Sequence, residues 1–167
     1  MSDREMFLRP MTIDDVPFMM GVRNESREML KDTRAFTVEE GRIWFQTCKP
    51  EQYIVNVQDV GDVGVMRVRR YVQNPHSAEI GGDVALKHRG KGYGRRAYNL
   101  LIPFLFLDDK ILELYLEVFT MNMVAFNLYH SLGFQIHEYV PKMARRGDGY
   151  IDGFVMQMSQ ARWETRE

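Results

Sequence analysis

Cysteine is nearly absent. Cys48 is the single one in 167 residues, which excludes an internal disulfide and any Cys-rich metal site. Charge of one sign is lacking too: 22 Lys and Arg stand against 23 Asp and Glu, so a global polyanion-binding surface is not indicated. No apolar run approaches the roughly 20 residues that cross a bilayer; Leu100 to Leu107 is far too short. Met1 to Arg9 carries Asp3, Arg4 and Glu5 and has no apolar stretch of signal-peptide length. Repeats and low-complexity linkers are missing as well. His76, His88, His130 and His137 lack metal-ligand spacing, so no metal is expected. What remains is 45% hydrophobic residues, enough for a sizeable core. The expectation is one soluble, cytoplasmic domain over residues 1–167, with a loosely ordered tail at 160–167. Methionine, at twelve, is plentiful. Met19, Met20 and Met29 form a cluster suited to core filling or to a flexible apolar pocket wall.

Periodicity and turn chemistry give the element order β-α-α-β-β-β-α-β-α-β-β, a mixed α+β fold with a mostly antiparallel sheet of about seven strands. "MFLRPM" reads as a strand. Thr12 with Asp15, and Thr37 with Glu40, have the spacing of capping boxes and open two helices. "QYIVNVQ" and "VGVMRVRRYV" flank Gly61-Asp62, a hairpin turn signal, and Asn74-Pro75 marks the next turn. "SAEIGGDVAL" completes the meander, and Gly81-Gly82 inside it suggests a bulge or a close ligand approach. A helix follows, in which Pro103 predicts a kink or break because it cannot donate to Asn99. After the strand "ILELYLEV" comes a short helix on which Val124, Leu128 and Leu132 share a face, ended by Gly133. Two strands joined by Gly147-Asp148-Gly149 close the chain.

The stretch "ALKHRGKGYGRRAYNLL", residues 85–101, carries glycine at alternate positions, Gly90, Gly92 and Gly94, among Lys87, Arg89, Lys91, Arg95 and Arg96. Bare backbone and positive charge at a helix start make a phosphate cradle. The P-loop pattern fails, because Gly90-Lys91 is followed by Gly92 and no hydroxyl is placed for magnesium. The dinucleotide fingerprint fails on both spacing and context. A nucleic-acid reading finds neither net positive charge nor interleaved aromatics.

"Arg89-Gly90-Lys91-Gly92-Tyr93-Gly94" resembles the R/Q-x-x-G-x-G/A loop of the GNAT superfamily of N-acetyltransferases. The stretch from Glu117 through Asn122, Ala125, Leu128 and Tyr129 to Gly133-Phe134 resembles the second marker of that superfamily, with matching order and spacing. The likeness covers nearly the whole chain. Within the superfamily, Arg23-Asn24 followed by Trp44-Phe45 resembles members that acetylate amino sugars on nucleotide carriers, and some ribosomal-protein N-terminal acetyltransferases.

The resemblance implies direct acetyl transfer from acetyl-CoA, as cosubstrate, to a primary amine of a small molecule or a protein N-terminus, by a monomer or homodimer with no nucleic acid, membrane or metal involved. It implies that the pyrophosphate meets Gly90, Gly92 and Gly94 and the N–H groups of Arg89, Lys91, Tyr93 and Arg95, and that the pantetheine arm pairs with Val84, Ala85 and Leu86. Tyr129 matches the general acid, and Asn122 a coenzyme or substrate contact. The base stays open between Glu117, Glu79 and Asp83. Arg23, Asn24, Glu28 and Asp83 are candidate acceptor contacts. A coenzyme-A-binding module on the same fold, without turnover, is the alternative.

Overall fold

A computed structural model describes residues 4–165. Seven strands form one sheet in the order β1-β2-β3-β4-β5-β7-β6. They are β1 (Met6–Pro10), β2 (Glu51–Val57), β3 (Gly61–Tyr71), β4 (Asn74–Val84), β5 (Glu113–Phe119), β6 (Gln135–Arg146) and β7 (Gly149–Ser159). The helices are α1 (Val16–Ser26), α2 (Val38–Cys48), α3 (Tyr93–Pro103), α4 (Met123–Ser131) and α5 (Gln160–Glu164). The α+β class and the element order agree with the sequence expectation. The described residues fall into two compact units. The first comprises residues up to Arg69 together with Gly81–Phe104, and the second comprises Arg70–Ile80 with Leu105 onward; β3 and β4 run through both.

In the first unit, β1 and β3 flank β2 antiparallel, with Gln52 opposite Arg67. Both capping boxes form. Thr12 N–H donates to Asp15 at 2.8 Å, and Glu40 N–H donates to Thr37 Oγ1 at 3.2 Å while Thr37 N–H donates back to Glu40 at 2.7 Å. Met11, Val16, Met19, Met20, Ile54 and Val65 make a buried cluster packed with Phe18, Phe36 and Phe45. Burying each such side chain contributes about 1.5–3 kcal/mol. Gly41 lets α1 and α2 pack closely, since a Cβ there would lie 2.7 Å from the Met20 side chain. Arg9 anchors the entry to α1 through a bidentate pair with Asp15 at 2.7 and 2.8 Å. That hydrogen bonding is the main reason the Asp15 carboxyl sits at about 2, below its ordinary 3.8.

In the second unit, β5 pairs parallel with β4 over Ser77–Glu79 and antiparallel with β7, and β6 borders β7. Phe106, Ile111, Leu114, Leu116, Phe134 and Met156 are fully buried. The Gly147-Asp148 turn falls where the glycines predict, with Arg146 opposite Gly149.

Several expectations need correction. The first hairpin turns at Gln58–Val60, with Asp59 left-handed at φ 61, while Gly61, also at positive φ (94), is already in β3 opposite Val57. The next turn is Val72-Gln73, and Asn74-Pro75 opens β4. On α4, Val124 is 85% exposed; the buried residues of that turn are Tyr129 and Leu132. Residues 160–164 are helical and anchored: Trp163 packs on Phe106 at 5.6 Å, and Arg162 Nε donates to Gly133 O at 3.1 Å. Residues 166 and 167 of the expected loose tail lie outside the described residues. The break at Pro103 is present, as α3 ends there and the chain continues as a π-helical turn, Phe104–Asp108.

Candidate functional site

β4 ends at Val84, and the chain crosses a 3-10 turn, Leu86–His88, into the glycine loop. Ala85 N–H donates to Val63 O at 2.9 Å and Leu86 N–H to the Glu25 carboxylate at 2.7 Å. Gly90 and Gly92 are left-handed, at φ 73 and 78, and a Cβ on either would have no atom within 4 Å. Their purpose is therefore conformation and open approach rather than tight packing. Gly92 caps α3, whose first helical bond runs from Arg96 N–H to Gly92 O at 3.2 Å. The N–H groups of Tyr93 and Gly94 precede that bond, so helix geometry gives them no intrahelical acceptor. Helix dipole and bare backbone thus coincide at this point, and the residues present fit an anionic phosphate group.

The arginine of the loop has a different job from the one its motif position suggests. Arg89 N–H turns back to Leu86 O at 3.2 Å, which removes it from the set of loop donors. Its guanidinium bonds Val84 O at 2.9 Å and Ser26 Oγ at 2.8 Å, tying the loop to the strand end and to α1. Lys91 Nζ donates to Lys87 O. His88 is buried beneath the loop with its ring edge-on to Tyr93. Burial, with Lys87 and Lys91 nearby, lowers its pKa.

The same unit contains a cavity of about 360 Å³. Met19, Met20, Leu30, Phe36, Trp44 and Val65 supply its apolar wall. The two methionines serve as core and as pocket lining at once, whereas Met29 is exposed. Arg23, Glu40, Gln52, Arg67 and Asp83 supply the polar groups. Arg67 Nη1 donates to Asp83 Oδ2 at 2.7 Å. Gly81 makes that possible, since a Cβ there would lie 2.7 Å from the guanidinium. The approach at Gly81-Gly82 is therefore by side chains of β3, Arg67 and Met66, and not by the ligand the sequence suggested.

Arg23 and Asn24 shape the pocket by holding the segment between α1 and α2. Arg23 donates to Asp32 O at 2.8 Å and Arg34 O at 2.7 Å and lies 4.2 Å over the Phe36 ring. Asn24 makes a two-way bond with the backbone of Phe36, at 2.8 and 3.0 Å. Glu28 is exposed, 3.5 Å from Arg27 Nε. Of the four candidate acceptor contacts, Arg23 and Asp83 line the cavity; Asn24 positions Phe36. Gln52 and Arg67 line it without a signal in the sequence, Glu40 was marked only as a helix cap, and Trp44 was marked only through the family resemblance.

In the second unit, Asn122 caps α4, its Oδ1 accepting from Ala125 N–H at 3.2 Å. Tyr129 is buried on α4 with its ring edge-on to Phe134. Glu117 is exposed on β5 opposite Val155, and Glu79 is half-buried on β4 opposite Tyr115. The four share this unit, while the loop, Val84–Leu86 and Asp83 belong to the first. Among the described residues no cluster of three or more His, Cys, Asp or Glu could hold a metal, and no helix is long and apolar enough to cross a membrane.

Comparison with known proteins gives a consistent result. The family model for an acetyltransferase (GNAT) domain matches residues 5–135. The spermidine/spermine N-acetyltransferase SpeG of Vibrio cholerae superposes with a TM-score of 0.85 at 20% identity, covering 96% of this chain and 97% of that one. A GNAT-family acetyltransferase of Bacillus anthracis gives 0.83 at 18% identity, over 95% and 98% of the two chains. The ribosomal-protein-alanine N-acetyltransferase of Brucella melitensis gives 0.79 at 20%, over 92% and 99%. A search of curated protein sequences finds no match.

Proposed function

The chain belongs to the GNAT acetyltransferase family, and from that premise we propose that it transfers the acetyl group of acetyl-CoA directly to a primary amine, on a small molecule or a protein N-terminus. The observation that carries the reading is the loop. Two left-handed glycines open the backbone at the head of an eleven-residue helix, in the same compact unit as an apolar cavity. The cavity wall includes Asp83, the residue directly before Val84, where the strand ends.

When bound, acetyl-CoA supplies an acyl thioester. The chain's own residues do the rest. Backbone N–H groups of Tyr93 and Gly94, with the dipole of α3, hold the pyrophosphate. Gly90, Lys91, Gly92 and Arg95 complete the loop, and the pantetheine arm passes the strand end at Val84; Ala85 N–H and O are already bonded to Val63 and His88, and Leu86 N–H to Glu25, so these two residues offer it no free donor. Asn122 makes a polar contact with coenzyme or acceptor. The amine must shed a proton before attack, and Asp83, Glu79 or Glu117 is the carboxylate that takes it. Tyr129 delivers a proton to the departing thiolate.

Acetyl-CoA is expected to raise the melting temperature at millimolar concentration, since a ligand of the folded state stabilises it; NADH and ATP should not. Thiol release across an amine panel then identifies turnover. Tyr129→Phe keeps the ring and removes the hydroxyl. Turnover should fall about 10²-fold with acetyl-CoA affinity little changed. A variant with wild-type turnover removes Tyr129 from the mechanism. A protein that binds acetyl-CoA yet acetylates no amine is the coenzyme-binding module instead.

A further inference from the structure

The cavity's polar groups are unequally committed. Arg23 is spent on two backbone carbonyls, Glu40 on the N–H and hydroxyl of Thr37, and Arg67 and Asp83 on each other. Gln52 differs. Its Oε1 is buried and has no hydrogen-bond partner, and Gln52 is one of the residues that line the cavity. Gln52 stands opposite Arg67 across the β2–β3 ladder, but the Arg67 guanidinium bonds Asp83 and leaves Gln52 Oε1 unmatched. A buried acceptor without a donor is costly to the fold, and it becomes an asset when a ligand brings the donor.

We infer that Gln52 selects the acceptor: a primary amine whose apolar body carries one uncharged hydrogen-bond donor, a hydroxyl or an amide N–H, that reaches Gln52 Oε1. The inference rests on the acetyl-transfer reading above and narrows it. The wall of Met19, Met20, Leu30, Phe36, Trp44 and Val65 suits an apolar or ring-shaped body. An acceptor without the donor would leave Gln52 unpaired. A site built around such a bond discriminates far more strongly than one that measures apolar size.

The test uses phenethylamine and its 2-, 3- and 4-hydroxy isomers, with binding read by calorimetry in the presence of coenzyme A. Wild type and Gln52→Leu are compared, with Gln52→Met as a second variant should leucine fold poorly. At least one hydroxylated isomer should bind wild type about 10-fold or more tighter than the parent, and the preference should collapse to near unity in the variant. Acetyl-CoA affinity should be the same in both proteins. The melting temperature of the variant without ligand should equal or exceed that of wild type, because an unmatched acceptor has been removed. A wild type that binds no isomer preferentially, or no amine of the set at all, overturns the inference. So does a preference that survives in the variant, or a variant that melts lower through a bond the fold itself had made. Failure of acetyl-CoA to stabilise wild type would be a separate result and would sink the acetyl-transfer reading.

Discussion

Gly90 and Gly92 in the loop and Gly64 and Gly81 in the strands answer different needs. The loop glycines have positive φ and empty surroundings. The strand glycines are not left-handed but have no room. A Cβ on Gly64 would lie 2.6 Å from Asp83 O, and one on Gly81 would meet the Arg67 guanidinium. In the loop, glycine leaves space for a ligand. In the strands, it leaves space for the chain itself, the Asp83 backbone beside Gly64 and the Arg67 side chain beside Gly81. Substitutions at the two kinds of site should therefore be revealed by different readouts.

Gly64→Val should have the largest effect. Its clash is with backbone, which no rotamer change relieves, and the cost should be about 3 kcal/mol. Urea unfolding should show the midpoint falling at constant slope, and an unchanged midpoint would end the contrast. Gly92→Val should lose acetyl-CoA affinity by about 10- to 100-fold, near 1.4–2.7 kcal/mol, because the added methyls occupy the approach to the α3 N–H groups. Its strain in the left-handed region should cost a further 1–2 kcal/mol or about that in stability. Equal affinity in variant and wild type would mean that the loop is merely a solvated turn.

A pH titration compares both glycine sites with an ion pair. The Asp15 carboxyl is depressed in the folded state, chiefly by its hydrogen bonds from Arg9. Its contribution is therefore present in full above about pH 4 and is lost as pH falls through 2. Because Arg9 is about a third exposed, solvent screening reduces the contribution to about 1 kcal/mol. Wild type should lose stability between pH 4 and 2 more steeply than Asp15→Asn; parallel curves would refute this. The smallest effect belongs to Gly81→Ala. It should displace Arg67 from Asp83, costing under about 1 kcal/mol for so exposed a pair, while shifting KM for the amine. A KM equal to that of wild type would show that the pair does not shape the cavity.

The sequence is legible where a rule is local. Thr12 with Asp15 and Thr37 with Glu40 form their caps, and the wider turn after Pro103 follows from its missing N–H. The glycine loop was legible because left-handed residues at a helix head need glycine. The first turn was misplaced because a non-glycine residue, Asp59, adopts positive φ just ahead of Gly61, which is also at positive φ. The cavity was largely illegible. Gln52, Arg67 and Trp44 lie on separate elements and converge only through tertiary packing. Arg89 shows the converse, since a motif position that reads as a ligand donor anchors Val84 and Ser26 instead.

The chain has two tryptophans, and they divide between the units: Trp44 on the cavity wall of the first, Trp163 against Phe106 in the second. Each is thus a built-in optical reporter of its own surroundings. In a Trp163→Phe protein the remaining emission comes from the cavity, so an amine settling there should shift its colour and intensity. In a Trp44→Phe protein the emission follows the second unit alone. Chemical denaturation of the two single-tryptophan proteins would show whether the units melt together or one after the other.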